Sequence, residues 1–182
     1  MLKLLIFLLG SLGFVLLSSH ALTKPLSHGF PRFFAFESIL GLVVLNASFW
    51  LVQPLSLIQI VSWALLLVSA FLVAHAFWVL RRFGKADKSI QDPSRLSFEK
   101  TIHLVTEGPY RFIRHPMYAS LLCLAWGVFL KQITFLSGLL VILASLALYT
   151  TAIFEERENL RNFGDEYVEY MQRTKRFIPF LF

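Results

Sequence analysis

The sequence predicts an all-α, polytopic membrane protein of about five transmembrane helices, with a cytosolic connector and a C-terminal amphipathic helix. Three observations carry that expectation. First, 57% of the 182 residues are hydrophobic and the mean hydropathy is +0.67, against roughly 45–50% apolar content in an ordinary soluble domain. A soluble chain of this length has too little interior to hide so many Leu, Phe and Val side chains. Second, the apolar residues fall into runs near the roughly 20 residues that a bilayer core requires. Third, Lys and Arg gather between those runs rather than inside them.

The elements follow in order. Leu4 to Leu22 is an uninterrupted apolar run and forms the first span. Phe33 to Val52 is the second, stopped before Gln53 and Pro54, since proline cannot continue a helix. Leu57 to Leu80 is the third, closed by Arg81 and Arg82. Pro116 to Leu130 is a fourth, slightly short span, opening on a proline that suits the first helical position. Phe135 to Phe154 is the fifth and runs on into Glu155 and Glu156; the charged segment beyond it holds the C-terminal amphipathic helix. No repeat or low-complexity tract divides the chain. A single membrane domain over 1–182 is expected, its second half beginning near residue 95.

Orientation comes from the connectors. The stretch between spans three and four holds Arg81, Arg82, Lys85, Lys88, Arg95, Lys100, Arg111 and Arg114. The tail after span five and the first connector are also basic, whereas the second connector is uncharged. Cationic loops stay in the cytosol, so the N-terminus is expected outside, in the inner or plasma membrane; only Lys3 and Lys131 dissent. The first run also has the look of a signal peptide, with Ser19-His20-Ala21 as a cleavage site. Cleavage would leave the most basic connector outside, so a retained helix is the expectation. The formal charge of +6 belongs to this topology and not to nucleic-acid binding, because no soluble basic face exists. Cys123, the one cysteine, lies within an apolar run, so neither a disulfide nor a cysteine-based metal site is expected.

Two polar segments stand out at the cytosolic end. One is Thr101-Ile102-His103-Leu104-Val105-Thr106-Glu107-Gly108-Pro109-Tyr110-Arg111-Phe112-Ile113-Arg114-His115-Pro116-Met117-Tyr118. It turns at Gly108-Pro109 and delivers His115 to the N-terminus of span four, where backbone donors are free. The other begins at Glu155-Glu156 and continues through Leu160, Phe163-Gly164, Tyr167 and Tyr170. Carboxylates at the foot of a membrane helix are placed to meet a cation, or else form a solvated helix exit in which Glu158 pairs with Arg161 or Asn162. Neither segment contains a G-x-G-x-x-G fingerprint. The residues alone reach a polar, cytosol-facing pocket and no further.

The string Arg114-His115-Pro116-Met117-Tyr118, with Gly108 to Ile113 before it, resembles the R-H-P-x-Y signature of the isoprenylcysteine carboxyl methyltransferases and the related phospholipid N-methyltransferases. The block from Glu155-Glu156 through Tyr170, then Arg176 and Pro179, is similar to the C-terminal block of the same family. The resemblance covers roughly residues 95–182 and marks a short, bacterial- or archaeal-type member.

It implies that S-adenosylmethionine is the cofactor and that a lipid-like or prenylated small molecule, met within membrane lipid, is the methyl acceptor. Ile102, His103, Leu104, Val105, Tyr110, His115, Pro116, Met117, Tyr118, Glu155 and Glu156 would bind the cofactor; Arg114, His115 and Glu155 would be catalytic. Members that esterify a prenylcysteine carry an arginine one turn before the glutamate pair, where Thr151 stands here. Thr151 is therefore a candidate acceptor contact, as is Glu37, unless Glu37 snorkels toward Arg32. Phospholipid amines and small hydrophobic thiols are the alternative acceptors, and a non-catalytic scaffold is the alternative class. His75 either reaches the pocket or serves as an interhelical histidine. Asn46, Gln53 and Gln59 are expected at helix contacts or the outer interface, and Phe177 to Phe182 at the membrane interface.

Overall fold

A computed structural model describes residues 1–84 and 103–181. Among them run six α-helices: α1 (Leu2–Leu22), α2 (Gly29–Asn46), α3 (Leu57–Phe83), α4 (Pro116–Phe129), α5 (Phe135–Phe163) and α6 (Asp165–Arg173). Four are long and apolar enough to cross a membrane: α1, α2 with the 3-10 turn after it, α3 and α5. The fourth expected span, α4, has 14 residues and reaches only ~21 Å, short of a ~30 Å hydrocarbon core.

The short helix survives because its end is answered from two sides. A helix leaves its last carbonyls without intrahelical donors. The Asn46 side-chain amide donates to Val128 O at 2.8 Å, and that of Gln59 to Leu130 O at 3.1 Å. Ser62 Oγ donates to Gly127 O at 2.7 Å. Asn46 and Gln59 are thus helix contacts, as their sequence context suggests, and they cap a carbonyl end inside the membrane, where such groups cost several kcal/mol unpaired. Gly127 makes the approach possible: a Cβ there would stand 3.2 Å from the Ser62 carbonyl oxygen. Just beyond, Lys131 is buried, with Nζ 3.5 Å from the centre of the Trp63 ring and Trp50 stacked edgewise on Trp63. The indole face favours the cation.

The packing order places the cavity described below. α3 lies against α4, α2 against α5 and partly α4, and α1 against α2; α2 and α3 are not a packed pair. Ile39, Leu42, Ala125, Val128, Val141 and Ala144 fill the middle of the bundle. Toward the basic end, Ala35, Tyr118, Leu148 and Ala152 pack with Ile113 and Phe177. Phe177 is therefore a core residue, in contrast to the interfacial position expected for it, whereas Ile178, Phe180 and Leu181 are exposed.

Candidate active site

The two polar segments meet at the basic end, and backbone pairing joins them. Arg114 N donates to Lys175 O at 2.8 Å, His115 N to Arg176 O at 3.1 Å, and Lys175 N to Phe112 O at 3.1 Å. Tyr170 Oη donates to the Tyr110 carbonyl at 2.7 Å. The first segment reaches this position through a 3-10 turn, Gly108–Arg111, opened by Gly108 at φ +57°. That left-handed conformation suits glycine, and a Cβ there would also meet Val79 Cγ2 at 2.8 Å. His75 lies across the same point, its Nε2 3.2 Å from that Cβ position. It is an interhelical residue beside the turn and not part of the cavity wall.

A cavity of about 230 Å³ lies between these segments and the helices. Leu104, Val105 and Tyr110 form one side, and His115, Pro116, Met117 and Tyr118 open α4 on another. Glu155, Asn159 and Phe163 face it from α5, Arg32 and Phe36 from α2, and Val73 and Leu80 from α3. His115 is buried, its ring stacked on Tyr118 at 5.4 Å. Its Nδ1 lies 3.8 Å from Glu155 Oε2 and its Nε2 3.4 Å from Glu156 Oε1. The imidazole is held between two carboxylates.

Several candidate residues stand elsewhere. Glu156 follows Glu155 by about 100° around the helix, so it turns away from the cavity and is buried among cations. Arg114 Nε donates to its Oε1 at 2.8 Å, and Arg176 Nη2 to its Oε2 at 2.7 Å. Hydrogen bonding to this carboxylate raises the Arg176 pKa. Arg114, whose guanidinium also donates to the carbonyls of Met171 and Thr174, is a clasp between α5 and the C-terminal segment; it does not line the cavity. Thr151 is fully buried and its Oγ1 donates to Ala147 O at 2.7 Å, so it is spent inside its own helix. Glu37 is half-buried on α2 outside the cavity wall, whereas Phe36 beside it is in the wall. His103 is exposed and outside the wall too; Ile102 lies outside the described residues.

Glu158, read as a surface residue, instead reaches across to α2, accepting from His28 N at 3.1 Å and lying 2.7 Å from His28 Nδ1. The cavity residues that sequence reasoning missed are chiefly Arg32 and Phe36. Arg32 carried a signal, a cation at the foot of a span, but it was absorbed as a topological charge. Phe36, one turn further on, carried none among so many phenylalanines.

The cavity offers one carboxylate, one guanidinium, one imidazole, two tyrosines and an apolar wall of Leu104, Val105 and Met117, a mixed lining that fits an aromatic cofactor carrying both positive and negative groups. A sulfonium or ammonium is drawn to a carboxylate and to aromatic faces.

Helices long and apolar enough to cross a bilayer define an integral membrane protein, with a polar cavity near one end of its bundle. A family model described as phospholipid methyltransferase matches residues 57–166. The chain belongs to that family, in agreement with the resemblance carried by its motifs. It is 27% identical over 150 residues to a methanethiol S-methyltransferase from Pseudomonas deceptionensis, covering 82% of this chain and 50% of the relative. It is 33% identical over 97 residues to a probable protein-S-isoprenylcysteine O-methyltransferase from Oryza sativa subsp. indica, covering 53% and 51%. A protein-S-isoprenylcysteine O-methyltransferase B from Arabidopsis thaliana is 30% identical over 97 residues, covering 53% and 49%. The chain spans about half the length of these curated relatives. No solved structure matches it significantly.

Proposed function

We propose that the protein transfers the methyl group of S-adenosylmethionine to a lipid-like acceptor taken from the bilayer. The observation that carries this reading is the cavity itself: Tyr110, His115 to Tyr118 and Glu155, drawn from two separated segments, converge on one space. The names of the relatives support it, since each is a methyltransferase.

The bound cofactor would supply an electrophilic methyl group on a sulfonium. The protein's tasks are then alignment and charge placement, as for any in-line displacement. Glu155 offers its carboxylate to the positive end of the cofactor, and Tyr110 and Tyr118 offer aromatic faces. Leu104, Val105 and Met117 exclude water from the apolar part. Glu155 and Glu156 flank the His115 imidazole, a group suited to take the proton of an acceptor that must lose one. An acceptor would enter on the side of α2 and α3, which are not a closely packed pair.

The cavity is assigned to the cytosolic face, with the N-terminus outside. Arg32, Arg82, Arg111 and Arg157 all belong to its end of the bundle, and the uncharged second connector to the other.

Calorimetry of the detergent-purified chain with S-adenosylhomocysteine tests the reading. Saturable binding is expected; no binding in any of several mild detergents would overturn it. Label transfer from methyl-labelled S-adenosylmethionine into a total lipid extract is the companion measurement.

A further inference from the structure

Lys3 and Lys131 are the two cations that depart from the charge rule, and their surroundings differ. Lys3 Nζ donates to Leu45 O at 3.0 Å. Lys131 has no such acceptor. The residue is 3% exposed, and its Nζ is buried without a hydrogen-bond partner among the described residues. The Trp63 ring, 3.5 Å away, and the Trp50 ring, 5.8 Å away, cover it. An aromatic face answers one side of an ammonium, which carries three N–H donors. A buried charge with donors left over is costly.

Acceptors of the same kind stand beside it. Asn46 Oδ1 and Gln59 Oε1 are also buried without a partner among the described residues. Which end of each amide is the oxygen follows from its neighbours. Asn46 Nδ2 donates to Val128 O at 2.8 Å, and Gln59 Nε2 donates to Leu130 O at 3.1 Å and to the Lys131 carbonyl at 3.2 Å. Asn46 and Trp50, like Gln59 and Trp63, are four residues apart. Each chain segment thus brings an amide to the end of α4 and an indole to Lys131. That end falls roughly 9 Å short of the hydrocarbon depth.

We infer that bound water joins Lys131 Nζ to the side-chain oxygens of Asn46 and Gln59, in a closed hydration site at the end of the bundle remote from the cavity. Water meets both kinds of group, accepting from the ammonium and donating to the amide oxygens. The amide oxygens would repel an anion, and Lys131 would repel a second cation. A lipid head group does not reach an ammonium roofed by two indoles. The inference rests on the fold alone and is independent of the methyltransferase reading.

The test is magnetic resonance of the full chain in nanodiscs, with isotope-labelled lysine side chains. The Lys131 ammonium is assigned by its disappearance in Lys131→Met or Lys131→Arg. It should give a slowly exchanging signal with cross-peaks to water. Cross-peaks to indole protons alone would overturn the inference, as would a signal lost in fast exchange with bulk solvent. Lys131→Met supplies a second readout. A charge satisfied by water is a favourable group to keep, so its removal should lower the melting temperature by about 2–4 °C. A dry, unpaired charge is a burden, and replacing it with an apolar side chain stabilises; a rise or no change in melting temperature counts against the hydration site. The wild-type signal decides the question even where Lys131→Met fails to fold, since Lys131→Arg provides the same assignment.

Discussion

Glu155, Glu156 and Glu158 show how much three neighbouring carboxylates can differ. One faces the cavity, one is locked among Arg114, Arg176 and His115, and one fastens α5 to His28. Glu155→Ala should weaken S-adenosylmethionine binding by about 10- to 100-fold, the worth of about 1.5–3 kcal/mol for a charged contact. Glu158→Ala should leave that affinity within about twofold but lower the melting temperature, since it releases the N-terminus of α2. Calorimetry and a thermal melt of both variants check the pair. The motif Arg114-His115-Pro116 was legible as a site, but the sequence does not say which way a side chain leaves its helix. Arg114 and Glu156 are chemically suited to a cofactor and are used by each other. Thr151 was legible only as a departure from a pattern, and its hydroxyl is turned back onto Ala147.

At the scale of elements, α6 is the least conspicuous helix and among the most constrained. Tyr167 is almost fully buried, and Tyr170 anchors the Tyr110 carbonyl. Burial raises both phenols above the usual tyrosine range, the carboxylates Glu155 and Glu156 adding to this for Tyr167 and the neighbouring Tyr167 for Tyr170. A raised folded-state pKa means that the stabilisation is complete below about pH 10, where a solvated phenol keeps its proton. It is lost as pH rises from there toward the folded-state value. The melting temperature should therefore hold up to about pH 10 and fall as pH rises above it, and the Tyr167→Phe, Tyr170→Phe double variant should flatten that slope. Tyr170→Phe alone should cost about 1 kcal/mol through the lost hydrogen bond. The shortness of α4 was readable from residue counts. Its cap was not, because Asn46 and Gln59 lie some 70 to 80 residues away in sequence. Asn46→Leu should destabilise the protein by about 1 kcal/mol, the side-chain bond to Val128 O being lost while Lys131 N still donates to that carbonyl; reversible thermal or denaturant melting measures it.

Across the whole molecule, the hydropathy runs located four spans and a short fifth, because bilayer thickness imposes a length that composition alone can meet. Which helices touch is a different matter: nothing in the runs says that α2 leaves α3 and packs on α5. The cavity depends on that choice. Orientation is checked in a Cys123→Ser background by single cysteines at Leu55 and Glu107, both exposed and in connectors separated by α3. Membrane-impermeant maleimide should label Leu55→Cys in intact cells and Glu107→Cys only after permeabilisation. The reverse pattern would invert the topology.

The backbone pairing between residues 112–115 and 175–176 sets an order on biosynthesis. The carbonyl of Tyr110 waits for a hydroxyl 60 positions downstream, and Arg114 for a carbonyl equally distant. A ribosome adding about 5–20 residues per second leaves the first segment without its partners for several seconds, although α3 and α4 have already entered the bilayer. A premature stop before residue 170 would thus give a chain that inserts normally and never closes its cavity.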